Sequence, residues 1–130
     1  MGLEFDFNSI TKRISNLDKN VQKNITKKAL TNAAKITKEE LKKEVELKAY
    51  DTGALYESID ISDVKSRGTK EFIYVGSISD NRKIVERLYY NEYGTDKMVG
   101  KKLLKNTAKR TKGEATDAII ETIQEELNKV

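Results

Sequence analysis

Apolar and polar residues alternate at the start of the chain: Leu3, Phe5 and Phe7 share one parity, Glu4 and Asp6 the other. A period of two predicts a short, half-buried strand. Asn8 or Ser9 follows as a helix cap, because a short side-chain oxygen accepts from the free amides of a first turn. The period then changes. Ile10, Ile14, Leu17, Val21 and Ile25 recur every three or four residues, and Ala29, Leu30, Ala33, Ala34, Thr37, Leu41 and Val45 continue the stripe. Neither Pro nor Gly falls between Ser9 and Ala49. A helix of about 40 residues is a rod roughly 60 Å long at 1.5 Å per residue, too long for a compact domain of this size. The pattern therefore predicts a break near Leu17–Asn20 or Thr31–Asn32, or a helix that projects onto neighbouring subunits. Ala29, Ala33 and Ala34 suit close packing on a sheet or another helix better than the Leu/Ile seam of a coiled coil.

Tyr50-Asp51-Thr52-Gly53 ends this segment, with Asp51 or Thr52 as the cap of a short turn from Gly53 to Ser58. Ile59 and Ile61 alternate with Asp60 and Ser62, which predicts a strand to about Lys65. After a turn at Ser66-Arg67-Gly68-Thr69, the β-branched and aromatic run Phe72-Ile73-Tyr74-Val75 marks a second strand, Glu71 to Ser79. The two should pair as an antiparallel hairpin. Gly76 inside the strand suggests a bulge or a close backbone approach. Ser79-Asp80-Asn81 reads as turn and cap, and Ile84, Val85, Leu88 and Tyr89 predict a helix from Arg82 to Tyr93, closed by Gly94 in a left-handed cap. Thr95 to Gly100 reads as a loop. A helical pattern resumes at Lys101, with Gly113 a candidate break before Ala115, Ile119, Ile120, Ile123 and Leu127.

These elements imply one α+β domain spanning residues 1–130. A small antiparallel sheet packs against a long N-terminal helix and a C-terminal helix, each burying one apolar stripe. Composition adds exclusions. The chain has no Cys, so disulfides, thiolate metal sites and cysteine nucleophiles are absent. It has no His, which removes the commonest general base and metal ligand. A Ser-His-Asp triad is impossible, and the balance moves toward a binding or structural role. Only 37% of the residues are hydrophobic, so part of the apolar surface is expected to meet a partner. No run approaches the roughly 20 apolar residues of a membrane span, and the N-terminus lacks a secretory pattern. The expectation is a soluble intracellular product.

Charge is unevenly placed. Lys97, Lys101, Lys102, Lys105, Lys109, Arg110 and Lys112 follow one another with no acid between them. Helical spacing would put Lys101, Lys105 and Lys109 on one face. Such a strip is either a solvated helix face or a docking surface for an acidic partner or a phosphate backbone. Asp51-Thr52-Gly53-Ala54 matches the catalytic loop of dimeric aspartic proteases. There an apolar strand precedes the triplet; here Lys42-Lys43-Glu44-Val45-Glu46-Leu47-Lys48 does, in helical pattern. The plainer reading is a structural turn, capped by Asp51 and opened by Gly53.

The ordered set of motifs resembles a known family. Asp51-Thr52-Gly53-Ala54-Leu55-Tyr56-Glu57-Ser58-Ile59 looks like the "DTG-x-L-x-x-S-I" element of the tail-completion, or head–tail joining, proteins of long-tailed bacteriophages. Val75-Gly76-Ser77 matches the "VG" on the family's following strand, and Tyr90-Asn91-Glu92-Tyr93-Gly94-Thr95 resembles its "Y-x-x-x-E-[FY]-G-T" element. Lys28-Ala29-Leu30 with Ala33-Ala34 looks like the family's long helix. Leu103-Leu104-Lys105-Asn106-Thr107-Ala108 stands where it has "PFLRPA", without the Pro.

The resemblance implies a structural virion protein with no catalysis and no cofactor. It would form a homo-oligomeric ring, expected to be a hexamer, at the neck. Its partners would be the head connector (stopper) protein and the tail tube protein. DNA would pass through the channel without being specifically bound, no membrane would be involved, and assembly would take place in the host bacterial cytoplasm. Asp51, Thr52, Gly53, Gly94 and Thr95 are then structural turns. Asp96, Lys97, Met98, Val99, Lys101, Lys105 and Lys109 are the candidate protein interface, on a segment expected to be mobile or extended from the body until it docks. The rival readings are a basic nucleic-acid-binding protein and, behind it, a dimeric aspartic protease using Asp51-Thr52-Gly53.

Overall fold

The structure, a computed structural model, describes residues 2–6, 19–49, 53–68 and 70–129, the first stretch as backbone alone. In chain order the elements are β1 (Gly2–Asp6), α1 (Lys19–Lys48), α2 (Ala54–Ser58), β2 (Ile59–Ile61), β3 (Lys65–Arg67), β4 (Lys70–Ser77), α3 (Arg82–Tyr93), β5 (Gly94–Thr95), β6 (Met98–Val99) and α4 (Leu103–Asn128). The α+β class expected from the periodicities is the one observed.

β4 is the centre of the sheet. β1 pairs antiparallel along one side of it, from Gly2 opposite Gly76 to Asp6 opposite Phe72. β2 and β3 share the other side, Ile61 opposite Val75 and Lys65 opposite Phe72. The expected single strand from Ile59 to Lys65 is therefore two strands. Three residues, Ser62 to Val64, face two on β4, which is a bulge. The Ser62 hydroxyl accepts from the Tyr74 amide at 2.9 Å and so replaces a missing backbone partner. The bulge lies there and not at Gly76, which stays in register with Gly2 and Asp60.

α1 runs unbroken through Thr31 and Asn32. Asn32 does not turn back on its own backbone; its amide donates to the Thr122 hydroxyl on α4 at 3.0 Å. The alternative break near Leu17–Asn20 falls largely outside the described residues, as do the caps assigned to Asn8 and Ser9. On its inner side α1 presents Ala29, Ala33 and Ala34, all 0% exposed. With no side chain beyond Cβ, they let the helix sit close to its neighbours on two sides. One side carries the sheet, through Ile59, Ile73 and Val75. The other carries α4, antiparallel, through Leu103, Leu104, Ala115, Ile119 and Ile123. Contacts tie the two helices along most of their length: Lys28 to Glu126 at 3.3 Å, Thr37 to Thr111 at 3.4 Å, and Glu44 to Arg110 at 2.9 Å.

α4 also differs from expectation in continuity. Gly113 does not break it. The residue is exposed with open space around its Cα, and burial of Thr111, Ala115 and Ile119 on either side holds the helix through it. A glycine there costs about 1 kcal/mol of propensity, less than that packing returns.

Candidate interaction surface

The segment joining α3 to α4 is built around one buried carboxylate. α4 begins at Leu103 after Gly100-Lys101-Lys102, none of which is a good cap. Its N-cap residue Lys102 is left-handed, at φ 53°, and makes no side-chain cap bond. The free first-turn amides are met from α3 instead. Glu92, 6% exposed, accepts from the Leu104 amide on Oε2 at 2.6 Å and from the Lys105 amide on Oε1 at 3.1 Å. A negative group at a helix N-terminus is also favoured by the helix dipole. Two backbone bonds close the same corner, Lys101 N–H to Asn91 O at 2.6 Å and Lys102 N–H to Glu92 O at 3.3 Å. The sequence motif held Glu92 in view without assigning it this role. The signal was the lack of Ser, Thr, Asp or Asn just before a strong helical pattern.

Between these ends the chain makes a small arm. The segment expected to be a loop is a two-stranded hairpin, Gly94 opposite Val99 and Thr95 opposite Met98, with Asp96 and Lys97 at the turn. Gly94 has the expected positive φ, 84°, but its ψ of 179° lies outside the left-handed helical region, so the expected left-handed cap is not formed; the chain leaves α3 extended, straight into β5, and the Gly94 amide closes the helix on Tyr90 O. A Cβ on Gly94 would lie 2.6 Å from both Gly100 N and Met98 O. A Cβ on Gly100 would lie 2.6 Å from Glu92 O. The arm therefore crosses itself at its base through two glycines, with no room for a side chain at either.

Beyond that base the arm is open to solvent. Asp96, Lys97 and Thr95 are exposed, Met98 is half-buried, and Val99 is 88% exposed. Nearby on α3, Tyr89, Tyr90 and Tyr93 form an exposed cluster, with the Tyr89 ring 5.0 Å from Tyr93 and 5.9 Å from Tyr90. Tyrosines expose a large apolar area at small entropy cost and are enriched at protein interfaces. Alongside runs an open groove of about 760 Å³ between β4 and the α3–α4 corner, with Tyr74, Ile78, Tyr93, Leu104, Lys65 and Lys105 among its walls.

The basic strip is divided by the start of the helix. Lys101 precedes α4, and its ammonium donates to the carbonyl of Lys48 at the end of α1. It does not share a helical face with Lys105 and Lys109, as even spacing had suggested, because the left-handed Lys102 turns the chain between them. Lys105 and Lys109 do stand one turn apart on α4, both exposed. Arg110 leaves the strip for α1, where it meets Glu44 at 2.9 Å and Glu40 at 3.7 Å.

Of the other turn residues, Gly53 is left-handed as expected, at φ 86°, and opens α2. Asp51 and Thr52 lie outside the described residues. A 30-residue helix, not a strand, leads toward them. Among the described residues no helix is long and apolar enough to cross a membrane.

A family model described as "Bacteriophage HK97-gp10, putative tail-component" matches residues 8–94, about two thirds of the chain. No curated protein and no solved structure matches it. The matched segment runs from before α1 to the first residue of the arm, so Glu92 lies inside it and α4 beyond it.

Proposed function

The chain belongs to the HK97-gp10-like family of bacteriophage tail components, and we propose that within the virion it completes the tail, as a homo-oligomeric ring at the neck between the head connector and the tail tube. The observation that carries this reading is the arm. A compact body bears a short hairpin locked at its base by Glu92, Gly94 and Gly100, with Val99 exposed at 88% and three exposed tyrosines beside it. A monomer gains nothing from holding apolar side chains in water on a rigid support, whereas a subunit interface does. Asp96, Lys97, Met98, Val99, Lys105 and Lys109 form the contact surface in this reading, with Lys101 as its support. The role is structural, without catalysis. DNA threads the channel and is not gripped, because many phosphate contacts would hinder its passage.

Negative-stain imaging of the purified protein, alone and mixed with tail tubes, tests the proposal. Rings or capped tube ends are expected. A protein that stays monomeric and leaves tube ends bare would overturn it. Tight DNA binding that falls steeply with salt would point to a nucleic-acid role instead.

A further inference from the structure

α4 is sorted by charge along its length. Its charged residues from Lys102 to Lys112 are all basic, and those from Glu114 to Glu126 are all acidic. Two of them face α1 and are paired there, Arg110 with Glu44 and Glu126 with Lys28. Lys105, Lys109, Lys112, Glu114, Asp117, Glu121 and Glu125 are exposed, and none forms an ion pair among the described residues.

The helix itself does not favour this order. The dipole makes an N-terminus repel cations and a C-terminus repel anions, yet Lys105 stands in the first turn and Glu125 in the last. Like charges also stack one turn apart: Lys105 with Lys109, Asp117 with Glu121, and Glu121 with Glu125. At the first turn the Glu92 carboxylate offsets the field that Lys105 meets, but the like-charge stacking opposes the isolated chain along the rest of α4, so the stripes suit something outside it.

Angular position says what. At about 100° per residue, Lys105, Lys109 and Lys112 fall within an arc of about 60°. Glu114, Asp117, Glu121 and Glu125 fall within about 80°, and the two arcs are about 150° apart. A two-fold contact uses one patch on both partners, whereas a ring needs two different, complementary patches that point away from each other. Opposite charges on opposite faces meet the second requirement.

We propose that α4 supplies both halves of the contact between successive copies of this chain: the stripe Lys105, Lys109 and Lys112 of one copy docks on Glu114, Asp117, Glu121 and Glu125 of the next. The inference rests on the ring reading and names the surfaces that close the ring. It concerns residues beyond the segment that the family model matches.

Sedimentation velocity at 50 and 500 mM salt tests it with four chains. These are wild type, Lys105→Glu/Lys109→Glu/Lys112→Glu, Asp117→Lys/Glu121→Lys/Glu125→Lys, and a chain carrying all six changes. Wild type should associate at low salt and less at high salt, because exposed charges are screened. Each triple reversal, making three exposed pairs repulsive, should weaken association by roughly tenfold to a hundredfold. An equimolar mixture of the two reversed chains should associate again, and so should the six-fold variant. The reversed side chains are all exposed, so each chain should keep the helical circular dichroism of wild type. Reversed chains that associate like wild type would overturn the stripes and leave the ring standing. Weakening without recovery in the mixture would also overturn them. A wild type that is monomeric at both salts, with a mixture that is monomeric too, would overturn the stripes and the ring together.

Discussion

Replacing Glu92 removes the side chain by which α3 caps the start of α4. Its carboxylate accepts two amide bonds, at 2.6 and 3.1 Å, with 6% of the residue exposed. Hydrogen bonds to a charged partner contribute about 1.5–3 kcal/mol each, and a buried donor left unpaired costs about 1–3 kcal/mol. Against this stands the cost of burying the carboxylate, which disappears with it. Glu92→Ala should then destabilise the fold by about 3 kcal/mol, a large share of the roughly 5–15 kcal/mol typical of a domain. Glu92→Gln keeps the shape and one acceptor oxygen but turns an NH2 group toward the other amide, for about 1–2 kcal/mol.

Urea titration read by linear extrapolation gives both numbers. Amide exchange adds a local signature: Leu104 and Lys105 should lose protection in Glu92→Gln before α1 does, since only their partner has changed. If Glu92→Ala fails to fold, the Gln variant still decides the matter. A Gln variant within about 0.5 kcal/mol of wild type, with Leu104 exchange unchanged, would refute the reasoning.

Gly94→Val should cost more than the roughly 1 kcal/mol of a propensity change, because φ is 84° and the new Cβ meets backbone atoms at 2.6 Å; a thermal midpoint equal to wild type would contradict this. Gly113→Ala should stabilise by about 0.5–1 kcal/mol, since nothing lies within 4 Å of the added methyl, and the same melting experiment reads it. The hydroxyl of Thr107 is buried and has no hydrogen-bond partner among the described residues, so Thr107→Val should be neutral or stabilising by urea titration, and a loss of about 1 kcal/mol or more would count against the site as described. Asp60 is held below its ordinary value near 3.8 by the Ile61 amide and then by Lys38, and Glu126 below 4.5 by Lys28. Both folded values lie under the unfolded ones, so their contribution is complete above those pH values and is lost as pH falls through the folded ones. The urea midpoint of Asp60→Asn/Glu126→Gln should therefore vary less with pH between 2 and 5 than that of wild type.

Local rules carried the reading wherever an element is set by its own residues. The helix Arg82–Tyr93 appears with the expected bounds because Asn81 caps it, accepting from the Lys83 amide at 3.0 Å, and Gly94 ends it. The left-handed Gly53 and the positive φ of Gly94 follow from the same kind of signal, while the extended ψ of Gly94 is set by its pairing with Val99. Where tertiary contact decides, the sequence was mute. The bulge at Ser62–Val64 depends on which residues of β4 lie opposite. Past Asn32, α1 is held by the burial of Leu30, Ala33 and Ala34, and the Asn32 amide finds its partner in Thr122, 90 positions away. Gly113 weakens a helix by about 1 kcal/mol of propensity, and burial of Thr111 and Ala115 on either side offsets it. Spacing alone puts Lys101 on the face of Lys105 and Lys109, and spacing fails where the helix has not yet begun.

The division of labour along α4 explains why its outer charges could be read as either solvation or docking. Its inner side is constrained: Leu104, Thr111, Ala115 and Ile119 must fit α1, and Arg110 must meet the buried Glu44. Its outer side carries no such demand, and a helix free to choose would put acids first and bases last. The chain does the reverse while relying on a carboxylate from α3 to settle the N-terminus. Glu92 offsets at the first turn what Lys105 costs there, so the cap and the basic stripe belong to one arrangement. That gives the two perturbations a shared consequence. In a chain already carrying Lys105→Glu, the N-terminal field is less positive, two carboxylates stand near each other, and the loss from Glu92→Gln should shrink. A double-mutant cycle measures this directly: the coupling between positions 92 and 105 should be of the order of 0.5–1 kcal/mol. Strict additivity would mean that the stripe and the cap are independent, and the dipole argument for an external partner would lose its footing.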